Sequence, residues 1–225
     1  MTQQITAPRS SWPALLVSSL VFIAVWIAGL ALGGPSVASS DSGARIQLAF
    51  QANTAGAVQG ILVHGIAGLA LAALGVSLAR ILRPAAGVAA LGLSAAVLSW
   101  AQLGCELALF LGSAVGPVTA RDWWIALSML DGAKMIVIGV LILLVLVRAR
   151  RLKQRGRTLS TVSILAIAAL AVSGFGYLML SGPLMTAAYA SLPLLLLWAG
   201  TVPVALRRYR RAATAGHDFA GTSVR

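Results

Sequence analysis

The stretch RDWWIALSMLDGAKMIVIGVLILLVLVRARRLKQRGR, residues 121–157, decides how the chain folds. Trp123 to Val147 is an apolar run of membrane-spanning length, because about 20 residues cross the hydrocarbon core of a bilayer. The paired Trp123 and Trp124 open it, as aromatic residues do at a membrane–water interface. Arg148 to Arg157 closes it with six basic residues, the density expected of a cytoplasmic segment. Two charges break the apolar pattern, Asp131 and Lys134, one helical turn apart. Ionisable residues inside a span are costly and by default raise the hypothesis of a functional site.

The rest of the chain repeats this design. It has 225 residues, of which 59% are hydrophobic and 10% charged, against about 25% charged in a soluble domain. Such a chain has too little polar surface to face water on all sides. The expected spans are 13–33, 54–79, 85–111, 123–147, 159–180 and 185–206, and the fold class is all-α: a polytopic membrane protein, one domain, a single bundle of six transmembrane helices. Pro193 lies inside the sixth span as an expected kink. Between spans one and two, Gly34 to Asn53 reads as an external loop with a short amphipathic piece around Ile46 to Phe50. Gly112 to Asp122 reads as another external loop, and Ser181-Gly182-Pro183 as a tight turn. Pro84 breaks the chain after span two. A competing reading makes the first apolar run a signal peptide cut after Ser36-Val37-Ala38, but the run exceeds the usual 7–15 residues of such a core. No internal repeat pairs the two halves.

Net charge is +12, which by itself suggests nucleic acid. The distribution says otherwise, because the basic residues sit in clusters between apolar runs. With the N-terminus inside, the cytoplasmic segments hold Arg9, then Arg80 and Arg83, then Arg148 to Arg157, then Arg207 to Arg211. The external loops hold Arg45 and Arg121, each with an acid nearby, Asp41 and Asp122. Six spans with both termini cytoplasmic satisfy the positive-inside bias at every connection. The expected partners are membrane lipids, with anionic headgroups at the cytoplasmic arginine clusters. A homo-oligomer or a membrane partner protein stays open, and no nucleic acid is expected. Arg207 to Arg211 is expected to stop the last helix, with Tyr209 among the arginines as a surface anchor.

Four ionisable residues fall inside spans: His64, Glu106, Asp131 and Lys134. At about 1.5 Å per residue from the external ends of their helices, Glu106 and Asp131 lie roughly 8–11 Å deep, and His64 and Lys134 roughly 15 Å. Ser99, Gln102 and Glu106 share one face of span three by i+3 and i+4 spacing. Spans two, three and four are joined by short connections, so they are expected neighbours. One polar cluster of His64, Gln102, Glu106, Asp131 and Lys134 in the outer half of the bilayer follows, with Trp100 and Trp124 shaping its pocket. Two carboxylates face one ammonium and one histidine. With His64 neutral the set sums to a single negative charge, which a low dielectric penalises unless a proton or water compensates it.

A structural reading competes: Asp131 and Lys134 neutralise each other, and Gln102 and Glu106 hold the bundle by hydrogen bonds. Interhelical polar contacts average only about 0.6 kcal/mol, while each charged residue at mid-helix costs about 2.5–3.5 kcal/mol to insert. That comparison favours a working site. Gly56, Gly60, His64 and Gly68 recur every four residues and let a neighbouring helix approach closely. Cys105 is the only cysteine, so neither an intramolecular disulfide nor a zinc site is available to it. His64 is the only histidine within a span, which excludes haem held by two histidines of one chain. No nucleotide, hydrolase or metalloprotease motif occurs. No metal and no cofactor is expected.

The second span, GAVQGILVHGIAGLALAALGVSLARILRP, the segment RDWW and the late LPLLLLWAG together resemble an uncharacterised family of bacterial six-helix integral membrane proteins, a domain of unknown function. The glutamate associated with the start of that family's second span stands here as Gln59 or His64. The resemblance implies the six-helix topology and no activity; the expected location is the inner membrane of the cell. The leading expectation is a small multi-pass protein that binds or moves a small or lipidic ligand through the polar cluster. The alternatives are a membrane-embedded enzyme, using Glu106 or Asp131 as general acid on an isoprenoid or lipid, and a non-catalytic membrane subunit or immunity protein. The cytoplasmic arginines make one immediate prediction: a peptide of residues 148–157 binds anionic liposomes and is released as salt is raised toward 1 M, where the Debye length falls to about 3 Å. Salt-insensitive binding in a liposome sedimentation assay would refute it.

Overall fold

The computed structural model describes residues 11–38, 40–82, 85–112, 117–151 and 156–220, and the side chains of these except 117–118 and 208–220. The described residues form helices: α1 (Ser11–Leu32), α2 (Gly43–Gln51), α3 (Thr54–Ile81), α4 (Ala86–Leu111), α5 (Pro117–Arg151), α6 (Arg157–Leu178), the one-turn α7 (Gly182–Met185) and α8 (Ala188–Ala220). Six segments are long and apolar enough to cross a membrane: α1, α3, α4, α5, α6 and the stretch from α7 into α8. The chain is an all-α polytopic bundle of six such helices.

The six helices follow one another around a ring. α1 packs on α3, α3 on α4, α4 on α5, α5 on α6, α6 on α8, and α8 returns to α1 by the thinnest of these seams. Short connections between consecutive antiparallel helices favour this neighbour-to-neighbour order. In the half of the ring that holds the start of α1, the centre is filled. Leu74, Leu78, Ile142, Val145, Trp198 and Val202 are buried there in one apolar cluster. A second, smaller cluster lies at the opposite end, where Ile46 and Phe50 of α2 pack against Leu109, Ala120 and Trp124. The amphipathic piece expected in the first loop is therefore a real helix, capped at its start by Ser42 Oγ accepting from the Arg45 amide. Asp41 pins it, pairing with Arg45 at 3.1 Å while its carbonyl accepts from Arg121 Nη1 at 3.1 Å.

Several boundaries differ from expectation for identifiable reasons. α5 starts at Pro117, not at Trp123: proline is favoured at the first helical position, and Thr119 to Asp122 carry nothing that breaks a helix. The supposed external loop is thereby shortened, and its residues 113–116 lie outside the described ones. At 35 residues α5 is about 50 Å long, longer than the hydrocarbon core is thick. α8 continues to Ala220, past the arginines expected to stop it; arginine and alanine are good helix formers, so these residues end the apolar segment without ending the helix. The turn after α6 is made at Leu180, not at Gly182: Leu180 has φ of +51°, and the Ser181 amide donates to the Gly176 carbonyl at 2.9 Å, the closing bond of a Schellman-type end. A further break at Thr186–Ala187 separates α7 from α8, so Pro193 falls early in α8, which also carries Pro203. Pro84 and part of the basic run, residues 152–155, lie outside the described residues.

α3 and α4 cross at Gly75 and Gly92, where a side-chain carbon on Gly75 would stand 2.8 Å from the Gly92 Cα. Backbone cannot yield as a flexible side chain does, so Gly75→Leu is expected to destabilise the bundle by about 1–3 kcal/mol, the usual cost of overpacking. Gly104, on the same α4, has nothing within 4 Å of such a carbon. Gly104→Ala should be neutral or slightly stabilising, by up to about 1 kcal/mol from helix propensity. Reversible unfolding of both variants in mixed detergent checks the contrast, and equal losses would show that the crossing is not tight.

Candidate functional site

The cluster is assembled from the three helices expected to supply it: α3 gives His64, α4 gives Gln102 and Glu106, and α5 gives Asp131 and Lys134. Lys134 is its centre. Its side chain is 6% exposed. Nζ lies 2.8 Å from Asp131 Oδ1, donates to Gln102 Oε1 at 2.5 Å and stands 3.5 Å from His64 Nδ1. The other ring nitrogen, His64 Nε2, lies 3.3 Å from Glu106 Oε1. These contacts fix a tautomer. An ammonium has only donors, so Nδ1 must accept and Nε2–H must point at the carboxylate. In this state the ring is neutral, and all three donors of Lys134 are engaged.

Local structure positions these groups. The turn that carries His64, Ile61–Ile66, is a π-helix within α3. Such wide turns are rare and frequently occur at functional sites. Trp100 Nε1 donates to the Gly65 carbonyl inside it at 3.2 Å. The glycine ladder predicted along this helix faces α4 in part: Gly60 abuts Glu106, and Gly68 abuts Ser99 and Trp100. The π-turn brings Gly65 onto that face as well, against Leu103, while Gly56 faces Asn53 and Pro35 instead. A carbon on Gly60 would run into Glu106 Oε2, so with any other residue there the Glu106 carboxylate would have to shift. That oxygen is buried and has no hydrogen-bond partner among the described residues.

A cavity of about 440 Å³ adjoins the cluster, within the 300–1,000 Å³ range of ligand sites. It lies in the half of the ring away from the start of α1, where the central apolar filling ends. Asp131, Lys134 and His64 form a polar wall, and the remaining lining is mainly apolar and aromatic, including Phe22, Trp26 and Leu192. Leu30 of α1 and Tyr189 of α8 also line it and are 51% and 86% exposed. The cavity thus reaches the surface at the thin seam between α1 and α8.

The sequence reading missed Gln59, Tyr177, Tyr189 and Ser191, all of which line this space. Tyr177 lies four residues after Ser173 on one face of α6, and Ser173 Oγ donates to Ser191 Oγ at 3.3 Å; that polar spacing was the available signal. Two expectations are corrected. Trp100 does not shape the pocket: it is 48% exposed on the outside of the bundle, held there by its bond to Gly65. Trp124 does not either, because it is buried in the apolar cluster under α2. Gln102 and Glu106 belong to the cluster but lie behind the cavity wall, not on it. Cys105 is buried and free. Among the described residues no group of three His, Cys, Asp or Glu side chains is placed to hold a metal ion.

Compared with known protein families, with curated proteins and with solved structures, the chain matches none.

Removing one partner of a buried ion pair leaves an uncompensated charge. Lys134→Met is therefore expected to destabilise the protein by on the order of 3 kcal/mol. Adding Asp131→Asn should recover at least half of that loss. A double variant as unstable as the single one, by thermal unfolding in detergent, would rule out a paired Lys134–Asp131.

Proposed function

We propose that this protein binds a small or lipidic ligand in the cavity and exchanges it with the surrounding bilayer at the α1–α8 seam. One observation carries the reading: the polar cluster forms one wall of an otherwise mainly apolar and aromatic cavity that reaches the surface. If the cluster were only packing glue, the bundle would be expected to close over it as it closes over Trp198, which is fully buried. Enclosed apolar space beside a few convergent polar groups is the usual form of a ligand site.

Orientation follows the charges. Arg80, Arg148, Arg150, Arg151, Arg157 and Arg207 belong to the end of the bundle that holds the start of α1, while Arg45 and Arg121 lie at the other end and are held by Asp41. The positive-inside rule then puts both termini in the cytoplasm and the cavity in the outer half of the membrane. With the resemblance to bacterial six-helix proteins, this supports residence in the inner membrane of a bacterial cell.

Geometry favours binding over catalysis. A general acid must reach the atom it protonates. Asp131, the carboxylate on the cavity wall, is taken up by its pair with Lys134; Glu106 sits behind His64 and does not line the cavity. The test is mass spectrometry of compounds that co-purify in mild detergent. Wild type is compared with Ala188→Trp, which places an indole in the cavity mouth from a half-buried position. A discrete compound retained by wild type and lost from the variant, with unfolding temperature unchanged, is the expected result. The same bulk phospholipid in both would overturn the reading.

A further inference from the structure

The chemical class of the ligand can be argued from what the cluster has left to offer, on the premise that the cavity is a ligand site. Lys134 supplies its charge and all three donors to Asp131, Gln102 and His64. It has nothing free for an anionic headgroup. Asp131 is engaged by Lys134 through Oδ1 and by the Gln102 side chain, whereas a carboxylate has about four acceptor sites, so acceptor capacity remains. The charge count points the same way. Asp131 and Lys134 cancel, His64 is neutral in the tautomer its neighbours impose, and an ionised Glu106 leaves one negative charge. Facing this from the other helices are Tyr177 of α6, Tyr189 of α8, and Phe22 and Trp26 of α1. The only other titratable group beside Glu106 on α4 is buried Cys105. Aromatic faces attract cations, and no unengaged basic group lines the cavity among the described residues.

We infer that the cavity takes a lipophilic organic cation, an amine or onium group on an apolar body, in exchange for a proton held by the Glu106–His64 pair. A proton on Glu106 makes the empty cluster neutral, and its Oε2 is buried with no hydrogen-bond partner among the described residues. When the cation enters from the bilayer, the Glu106 proton is released to water. The cation supplies the positive charge in its place, and the net charge of the filled site equals that of the protonated one. The coupling has a definite sign. Acid fills the proton site and weakens cation binding, and alkali empties it and strengthens binding.

Two ions of nearly the same shape and opposite charge provide the test: tetraphenylphosphonium and tetraphenylborate. Binding of each is measured by equilibrium dialysis to the full chain in lipid nanodiscs, with empty nanodiscs subtracted. We expect at least about a tenfold preference for the cation, the scale set by one unit charge at close range in a medium between water and dry protein. Cation affinity should rise from acidic to alkaline pH in the wild type and stay flat in Glu106→Gln. Equal affinities, a preference for the anion, or a wild-type cation affinity that does not change with pH would overturn the inference. Ala188→Trp separates its failure from that of the wider reading. Anion binding that this variant abolishes would sink the cation assignment and keep the cavity as a ligand site. No binding of either ion above empty nanodiscs would sink both.

Discussion

A buried ammonium must be compensated from every side, and the arrangement of spans two to four follows from how Lys134 is compensated. Asp131 is supplied one turn away on its own helix, so that contact forms with the helix itself. Gln102 and His64 come from two other helices and can reach Nζ only if α3, α4 and α5 adopt one rotation and one height. In a bilayer, apolar side chains do little to fix such a register, because lipid tails solvate them as well as neighbouring helices do. The polar contacts are specific where the apolar ones are permissive. Glycines then let the helices close: α3 meets α4 at Gly75 and Gly92, and Gly60 leaves room for Glu106.

How much of this was legible in the residues depended on whether lipid or protein set the pattern. The spans could be read because hydrocarbon thickness imposes a length and the headgroup region imposes arginine clusters. The members of the cluster could be read because charge inside a span stands out against an apolar background, and because helical rise places His64, Glu106, Asp131 and Lys134 at similar heights. The direction in which each wall faces could not. A soluble helix has a polar side that reveals its apolar one, whereas a membrane helix is apolar toward lipid and toward its neighbours alike. Trp100 and Leu192 look equivalent in the sequence, yet one lies outside the bundle and the other lines the cavity. Tyr189 was indistinguishable from an interfacial anchor for the same reason.

The π-turn at Ile61–Ile66 was also hidden, since it is a decision of the backbone that no residue type announces. Its effect is to insert one extra position into the helix, which brings Gly65 onto the α4-facing side alongside Gly60 and Gly68. His64, at the middle of this segment, can then address Glu106 with one ring nitrogen and Lys134 with the other. The wide turn is what makes one histidine a bridge between an acid behind the cavity and a base on its wall.

The order of the helices around the ring bears on how the molecule is made. Helices enter the membrane in the order in which they are synthesised, so α3, α4 and α5 can gather around Lys134 while α8 is still being translated. The seam that completes the cavity joins α1 to α8, the first and last of the spans in the chain, and is the thinnest in the ring. The charged half of the site is thus built early among local neighbours, and its apolar half closes last across the longest sequence separation in the bundle. Until that seam forms, the polar wall faces lipid, so the half-made protein should depend on the insertion machinery, or on bound lipid, to shield it.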